Sequence, residues 1–157
     1  MNIILLTHKK ELVKKTNSGS LVVDFFPENA QVIIWDRVKP DPTLLELINN
    51  GSVALLYPVA DSELVSEAID YNNYIIIDGT WQQAQKIYNH SPYLKDLPTV
   101  KVAVDNPSAY HLRRNQRAGC LCTAECVIEL LRCRGFLDLA RNFQHSFDDF
   151  LSLKKKQ

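Results

Sequence analysis

The stretch that most constrains this chain lies at residues 74–84. Tyr74, Ile75, Ile76 and Ile77 form an unbroken aromatic and β-branched run, the composition of a strand covered on both faces. Asp78 and Gly79 then make a polar turn. Thr80, followed three residues later by Gln83, is a capping box and predicts a helix with Thr80 as its N-cap. Trp81, Ala84, Ile87 and Tyr88 recur at helical spacing as its inward stripe. Asp78 is left over. The cap does not need it, and it stands at the carboxyl end of a strand, where open α/β sheets bind ligands. A carboxylate beside a helix N-terminus offers one acid or base and one seat for an anion.

Elsewhere strands alternate with helices. Residues 3–6, 32–35, 53–57 and 100–104 are short apolar runs that read as strands. Thr7 is placed to cap a polar helix over residues 9–15, ended by the hydroxyl-rich loop at 16–20. Residues 21–26 fit either a strand or a helical turn. Asp41 and Pro42 mark a helix start, and Gly51 marks its end in the left-handed position. Residues 62–70 read as a helix with Leu64, Val65, Ala68 and Ile69 inward. Residues 123–134 form a strong helix stopped by Gly135. Residues 136–153 form another, with Phe136, Ala140, Phe143, Phe147 and Phe150 inward. The pattern predicts one α/β domain over residues 1–157, a single mostly parallel sheet flanked by helices.

A chain of 157 residues buries a real core without disulfides. Its 18 basic residues balance 18 acidic ones, so any polyanion site must come from local clustering. No apolar run approaches a membrane span, and the N-terminal run is shorter than that of a signal peptide. The expected setting is the cytoplasm, with the four cysteines as thiols or ligands.

Three constellations carry chemistry, and each has a bland alternative. Asp78 with Gly79 is a common turn pair, but Trp81 in the same turn offers a wall for a ligand pocket. Arg113, Arg114 and Arg117, with Tyr110 and His111, combine phosphate-pairing groups with stacking surfaces in a long loop over residues 105–121. A solvated loop is the alternative, and Arg37 and Lys39 extend the same patch after another strand. Cys122 and Cys126 are four apart, yet the spacing is not that of a CxxC pair and favours packed thiols over zinc. Neither a P-loop nor a GxGxxG is present.

The segment Asp78, Gly79, Thr80 and Trp81 resembles the Asp-x-Thr-Trp motif that names the DTW-domain family. Further blocks follow in family order: Leu5, Leu6, Thr7 and His8 with Glu11; Thr16, Asn17, Ser18 and Gly19; Leu55, Leu56, Tyr57 and Pro58; Tyr110 and Arg113; then Gly119 to Glu125. The resemblance implies a SPOUT-like fold with a trefoil knot near its C-terminal part. It implies transfer of the 3-amino-3-carboxypropyl group of S-adenosylmethionine to N3 of a tRNA uridine. Donor binding would fall to Ser18, Leu56, Tyr57, Pro58, Thr80, Trp81, Leu121, Cys122 and Thr123, and catalysis to Asp78. Arg37, Arg113, Arg114 and Arg117 would meet the tRNA. The sulfonium donor needs no metal. Many family members carry a cysteine cluster before the first strand, whereas here that strand follows Met1 almost directly. Two alternatives stay open: a SPOUT-type RNA methyltransferase, and a module that binds RNA or S-adenosylmethionine without catalysis.

Overall fold

The computed structural model describes residues 1–14, 17–57, 62–67, 69–102 and 122–155. In chain order the elements are β1 (Asn2–Thr7), α1 (Gly19–Phe25), β2 (Ala30–Ile34), α2 (Pro42–Asn50), β3 (Val53–Leu56) and β4 (Glu63–Leu64). Then come β5 (Asn73–Asp78), α3 (Trp81–Asn89), α4 (Pro92–Lys95), β6 (Thr99–Lys101), α5 (Thr123–Cys133) and α6 (Leu137–Lys155). The strands form one sheet in the order β2-β1-β5-β3-β6-β4, and every pair is parallel. The predicted sheet is therefore present. β5, the constraining stretch of the sequence, lies between β1 and β3.

The sheet is covered on both faces, so successive residues of a strand serve different cores. Ile3, Leu5 and Ile76 pack with Val22, Val127, Ile128, Phe143 and Phe147 of α1, α5 and α6. Ile4, Leu6, Leu55 and Ile75 pack with Leu44, Ile87 and Leu94 of α2, α3 and α4. This alternation sets the site. Thr7 and Asp78, paired in register, fall on the α1 and α5 side, while Tyr57 joins the core on the α3 side.

Several local expectations change. The described residues of 62–70 form no helix: β4 adds to the sheet edge, Leu64 is exposed, and Val65 N–H donates to Lys101 O at 2.9 Å. The carbonyls of Ser66 and Glu67 accept from the Arg134 guanidinium at 3.1 and 2.8 Å, a partner from α5 that periodicity cannot reveal. Instead of a helix over 9–15 there is one 3-10 turn, Lys9–Glu11, capped by His8 Nδ1. Thr7 ends β1 and caps nothing. The undecided residues 21–26 fall in α1, except Phe26 just beyond it. Gly51 ends α2 but with φ 156° and ψ −139°, outside the left-handed helical region. Phe136 precedes α6 and is exposed, whereas Ala140, Phe143 and Phe147 are buried as expected. The loop 105–121 lies outside the described residues, and the described residues do not show the knot expected near the C-terminal part.

Candidate active site

β1 and β5 end side by side, and their last residues form a buried polar clasp. Asp78 is only 1% exposed. Its Oδ1 accepts from Thr123 Oγ1, in the first turn of α5, at 2.7 Å. Its Oδ2 lies 3.4 Å from Thr7 Oγ1, whose single proton also has Leu5 O within 3.2 Å. Oδ2 thus shares that donor, and this bond is the weaker. The start of α1 leans on the same carboxyl: a Cβ at Gly19 would stand 2.6 Å from Asp78 Oδ2 and 2.8 Å from Asn17 Oδ1. Asn17 fixes that start by accepting from Gly19 N–H at 2.6 Å and donating to Glu11 O at 3.0 Å. A buried carboxyl is tolerated only when hydrogen-bonded. Asp78 meets that condition by tying together β1, β5 and α5.

The start of α5 is held as firmly. Ser18 is fully buried, and its Oγ accepts from Ala124 N–H at 3.1 Å, satisfying a helix-start donor from another part of the chain. Glu125 Oε1 accepts from the N–H of Cys122, the N-cap, at 3.1 Å. Burial pushes the Cys122 thiol well above its ordinary range, and the charge of Glu125 adds to the effect.

Across β5 the wall is aromatic. The buried Tyr57 ring stacks on Tyr88 at 4.4 Å and 21°, and faces half-buried Trp81 at 6.4 Å and 11°. The predicted capping box is present, with Gln83 N–H donating to Thr80 Oγ1 at 3.2 Å and Thr80 N–H donating to Gln83 Oε1 at 2.8 Å. A ligand carboxylate at this helix start therefore meets the N–H groups after Thr80, or displaces the Gln83 amide. A carboxyl on one side and ring faces on the other favour a cation, and helix starts favour an anion. This grouping of side chains suits a ligand bearing both.

Of the residues singled out in the sequence, Asp78, Ser18, Leu56, Tyr57, Thr80, Trp81, Cys122 and Thr123 converge on the carboxyl ends of β5 and β3. Ser18 and Cys122 are buried at the start of α5. Arg37 is exposed in the turn after β2. Pro58, Leu121, Arg113, Arg114 and Arg117 lie outside the described residues. Cys122 and Cys126 pack into the core of α1, α5 and α6. Sequence reasoning missed Thr7 and Gly19 as parts of the clasp. The available signal was that β1 and β5 each end in a polar residue after an apolar run.

The fold and site define an α/β protein whose doubly covered parallel sheet brings polar and aromatic side chains together at the carboxyl ends of its central strands. The chain belongs to the DTW domain family, whose profile matches residues 1–154. It is 36% identical over 139 residues to tRNA-uridine aminocarboxypropyltransferase 2 of Drosophila melanogaster, covering 82% of this chain and 54% of that protein. It is 33% identical over 134 residues to the protein of that name from Macaca fascicularis, covering 80% of this chain and 45% of the other. The chain thus spans about half the length of these relatives. In fold it is similar to the SAM-dependent rRNA:acp-transferase Tsr3 from Vulcanisaeta distributa, with a TM-score of 0.57 at 16% identity over 99% of this chain and 79% of that one.

Proposed function

We propose that this protein is a transferase that moves the 3-amino-3-carboxypropyl group of S-adenosylmethionine to N3 of a uridine in tRNA. The observation that carries the reading is the Asp78 clasp itself. The family's motif places a buried carboxyl at the end of the central strand, against the start of α5 and across from an aromatic wall. The names of the two relatives supply the substrate class.

The residues fit the donor. Its sulfonium and ammonium find the Asp78 carboxyl and the ring faces of Trp81 and Tyr57. Its carboxylate finds the start of α3, and Leu56 with the segment at Thr123 gives an apolar seat for adenosine. When bound, the donor supplies an already activated leaving group at sulfur, so the chain has only to orient it and manage one proton. The Asp78 carboxyl accepts the N3 proton of the uridine. The hydrogen bonds from Thr123 and Thr7 that fix its direction support a second role, as a carboxylate that orients the donor's ammonium. Arg37, with Arg113, Arg114 and Arg117, meets the tRNA phosphates.

Asp78→Asn separates the two roles. Loss of the base lowers the transfer rate by roughly 10²–10⁴-fold at unchanged donor affinity, whereas loss of the orienting charge raises the donor dissociation constant. The function is tested by mass spectrometry of tRNA incubated with protein and S-adenosylmethionine. A uridine carrying the aminocarboxypropyl group, with methylthioadenosine released, supports it. A methylated nucleotide with S-adenosylhomocysteine would replace the reading by methyl transfer. Binding of donor and RNA without product would leave a non-catalytic module.

A further inference from the structure

The carboxyl ends of β1 and β2 carry a feature that the clasp does not use. His8 follows Thr7, donates its N–H to Asp78 O at 3.0 Å, and lies beside the Gly79 turn, where an added Cβ would meet His8 Cβ at 3.5 Å. Its half-buried imidazole stacks on Trp35 with ring centres 6.0 Å apart and planes at 29°. Trp35 is buried and fixed, its Nε1 donating to Ser91 Oγ at 2.8 Å and its N–H to Thr7 O at 2.9 Å. His8 Nδ1 accepts from Lys10 N–H at 3.1 Å, so the neutral ring carries its proton on Nε2. Burial, then the charges of Lys86 and Lys10, hold the imidazole below its ordinary value.

Those cations come from separate elements. Lys10 on the 3-10 turn and Lys86 on α3 act on the ring, Lys9 acts on Asp36 next to them, and all three are exposed. Lys14 is paired with buried Glu11 at 3.2 Å. Arg37 and Lys39 continue the surface from the turn after β2. There Asp36 Oδ1 accepts from Val38 and Lys39 N–H at 2.9 and 3.0 Å, and the Lys39 and Lys9 charges add to those bonds in lowering its pKa. In a chain of zero formal net charge, this is a local concentration and not a share of general positive charge.

Resting on the reading above, we propose that the end of β1 and β2 is the surface on which the acceptor RNA docks. Lys9, Lys10 and Lys86, continued by Arg37 and Lys39, meet backbone phosphates, and the His8 ring contacts an unpaired base beside Asp78. Phosphates need the cations, and an unpaired base needs a ring surface with a fixed donor. An acidic peptide would use the cations but has no need of the neutral ring.

The test is binding of an unmodified tRNA transcript by the full chain across a salt series, with donor affinity and product followed alongside. Replacing Lys9, Lys10 and Lys86 together by Gln should spare donor affinity and the melting temperature. It should lower the slope of log affinity against log salt by about 2 to 3. His8→Ala should leave that slope unchanged and weaken RNA binding by roughly 5- to 100-fold, the loss of one stacked base. An unchanged slope and affinity in the triple-Gln variant overturns the surface, while product formation by the wild type keeps the proposed function standing. A reduced slope with no product from the wild type supports the surface and removes the function. A wild type that binds no tRNA overturns the surface.

Discussion

The two sides of the β5 terminus are held by different forces. On the α1 and α5 side, buried hydroxyl, amide and carboxyl groups hold one another at 2.6 to 3.4 Å, with Asp78 at their centre. On the α3 side, Trp81, Tyr57 and Tyr88 hold together by ring faces at 4.4 to 6.4 Å, and Trp81 stays half open to solvent. Hydrogen bonds fix distance and direction, whereas ring stacking tolerates sliding. One side can therefore set geometry while the other adapts to a ligand. Damage to the polar side should reach stability and rate together, and damage to the aromatic side should reach binding alone.

The largest breach of that contrast is Gly19→Ala. Its Cβ would enter a buried space at 2.6 Å from Asp78 Oδ2, and neither that carboxyl nor Asn17 can withdraw without straining the hydrogen bonds that hold it. Overpacking of this kind costs about 1–3 kcal/mol, and each kcal/mol lowers the melting temperature by about 2–4 °C in a chain of this size. Transfer activity should fall with it. A variant with wild-type melting and rate would show that the start of α1 slides freely, and the polar side would lose its claim to rigidity.

Thr123→Val is smaller and sharper. It keeps the shape but removes the 2.7 Å hydrogen bond, which costs about 1 kcal/mol and loosens one of the holds on Asp78. The turnover number should drop more than donor affinity, and Thr123→Ser should restore both turnover and melting. Failure of the serine to rescue would mean that the methyl group, not the hydroxyl, matters here. On the aromatic side, Trp81→Ala should weaken donor binding by roughly tenfold, from the loss of about 1–2 kcal/mol of ring contact. The melting temperature should hardly move. A large fall in melting with donor binding intact would make Trp81 a core residue and erase the contrast.

How far each side could be read in the sequence follows from the same physics. The capping box at Thr80 and Gln83, the strand at 74–77 and the stripe of α3 are local patterns, and the structure has them where the pattern placed them. The clasp is not local. Thr7, Gly19 and Thr123 reach Asp78 from 71, 59 and 45 residues away, and no periodicity marks such a meeting. Only the family blocks hinted that these segments belong together. The false helix at 62–70 has the same origin. Its apolar spacing was genuine, since Val65 and Ile69 are buried, but β6 and Arg134 supply its backbone partners from outside the window.

The smallest effect probes the polar side through its buried thiol. In the folded chain Cys122 holds its proton far more tightly than usual, because burial disfavours the thiolate and Glu125 adds its charge. In the unfolded chain the thiol ionises around its ordinary value of 9.0. Below that pH both states keep the proton, and the contribution to stability is fully present. As the pH rises past it, only the unfolded state ionises, so stability is lost by up to about 1.4 kcal/mol per pH unit. Urea midpoints at pH 8 and pH 10 read this directly. Cys122→Ser keeps a residue suited to the N-cap of α5 but cannot ionise, so its loss between the two pH values should be smaller than that of the wild type. Equal losses would mean that the thiol ionises as readily inside the fold as outside. The start of α5 would then be open to water, and the two sides of β5 would no longer differ in kind.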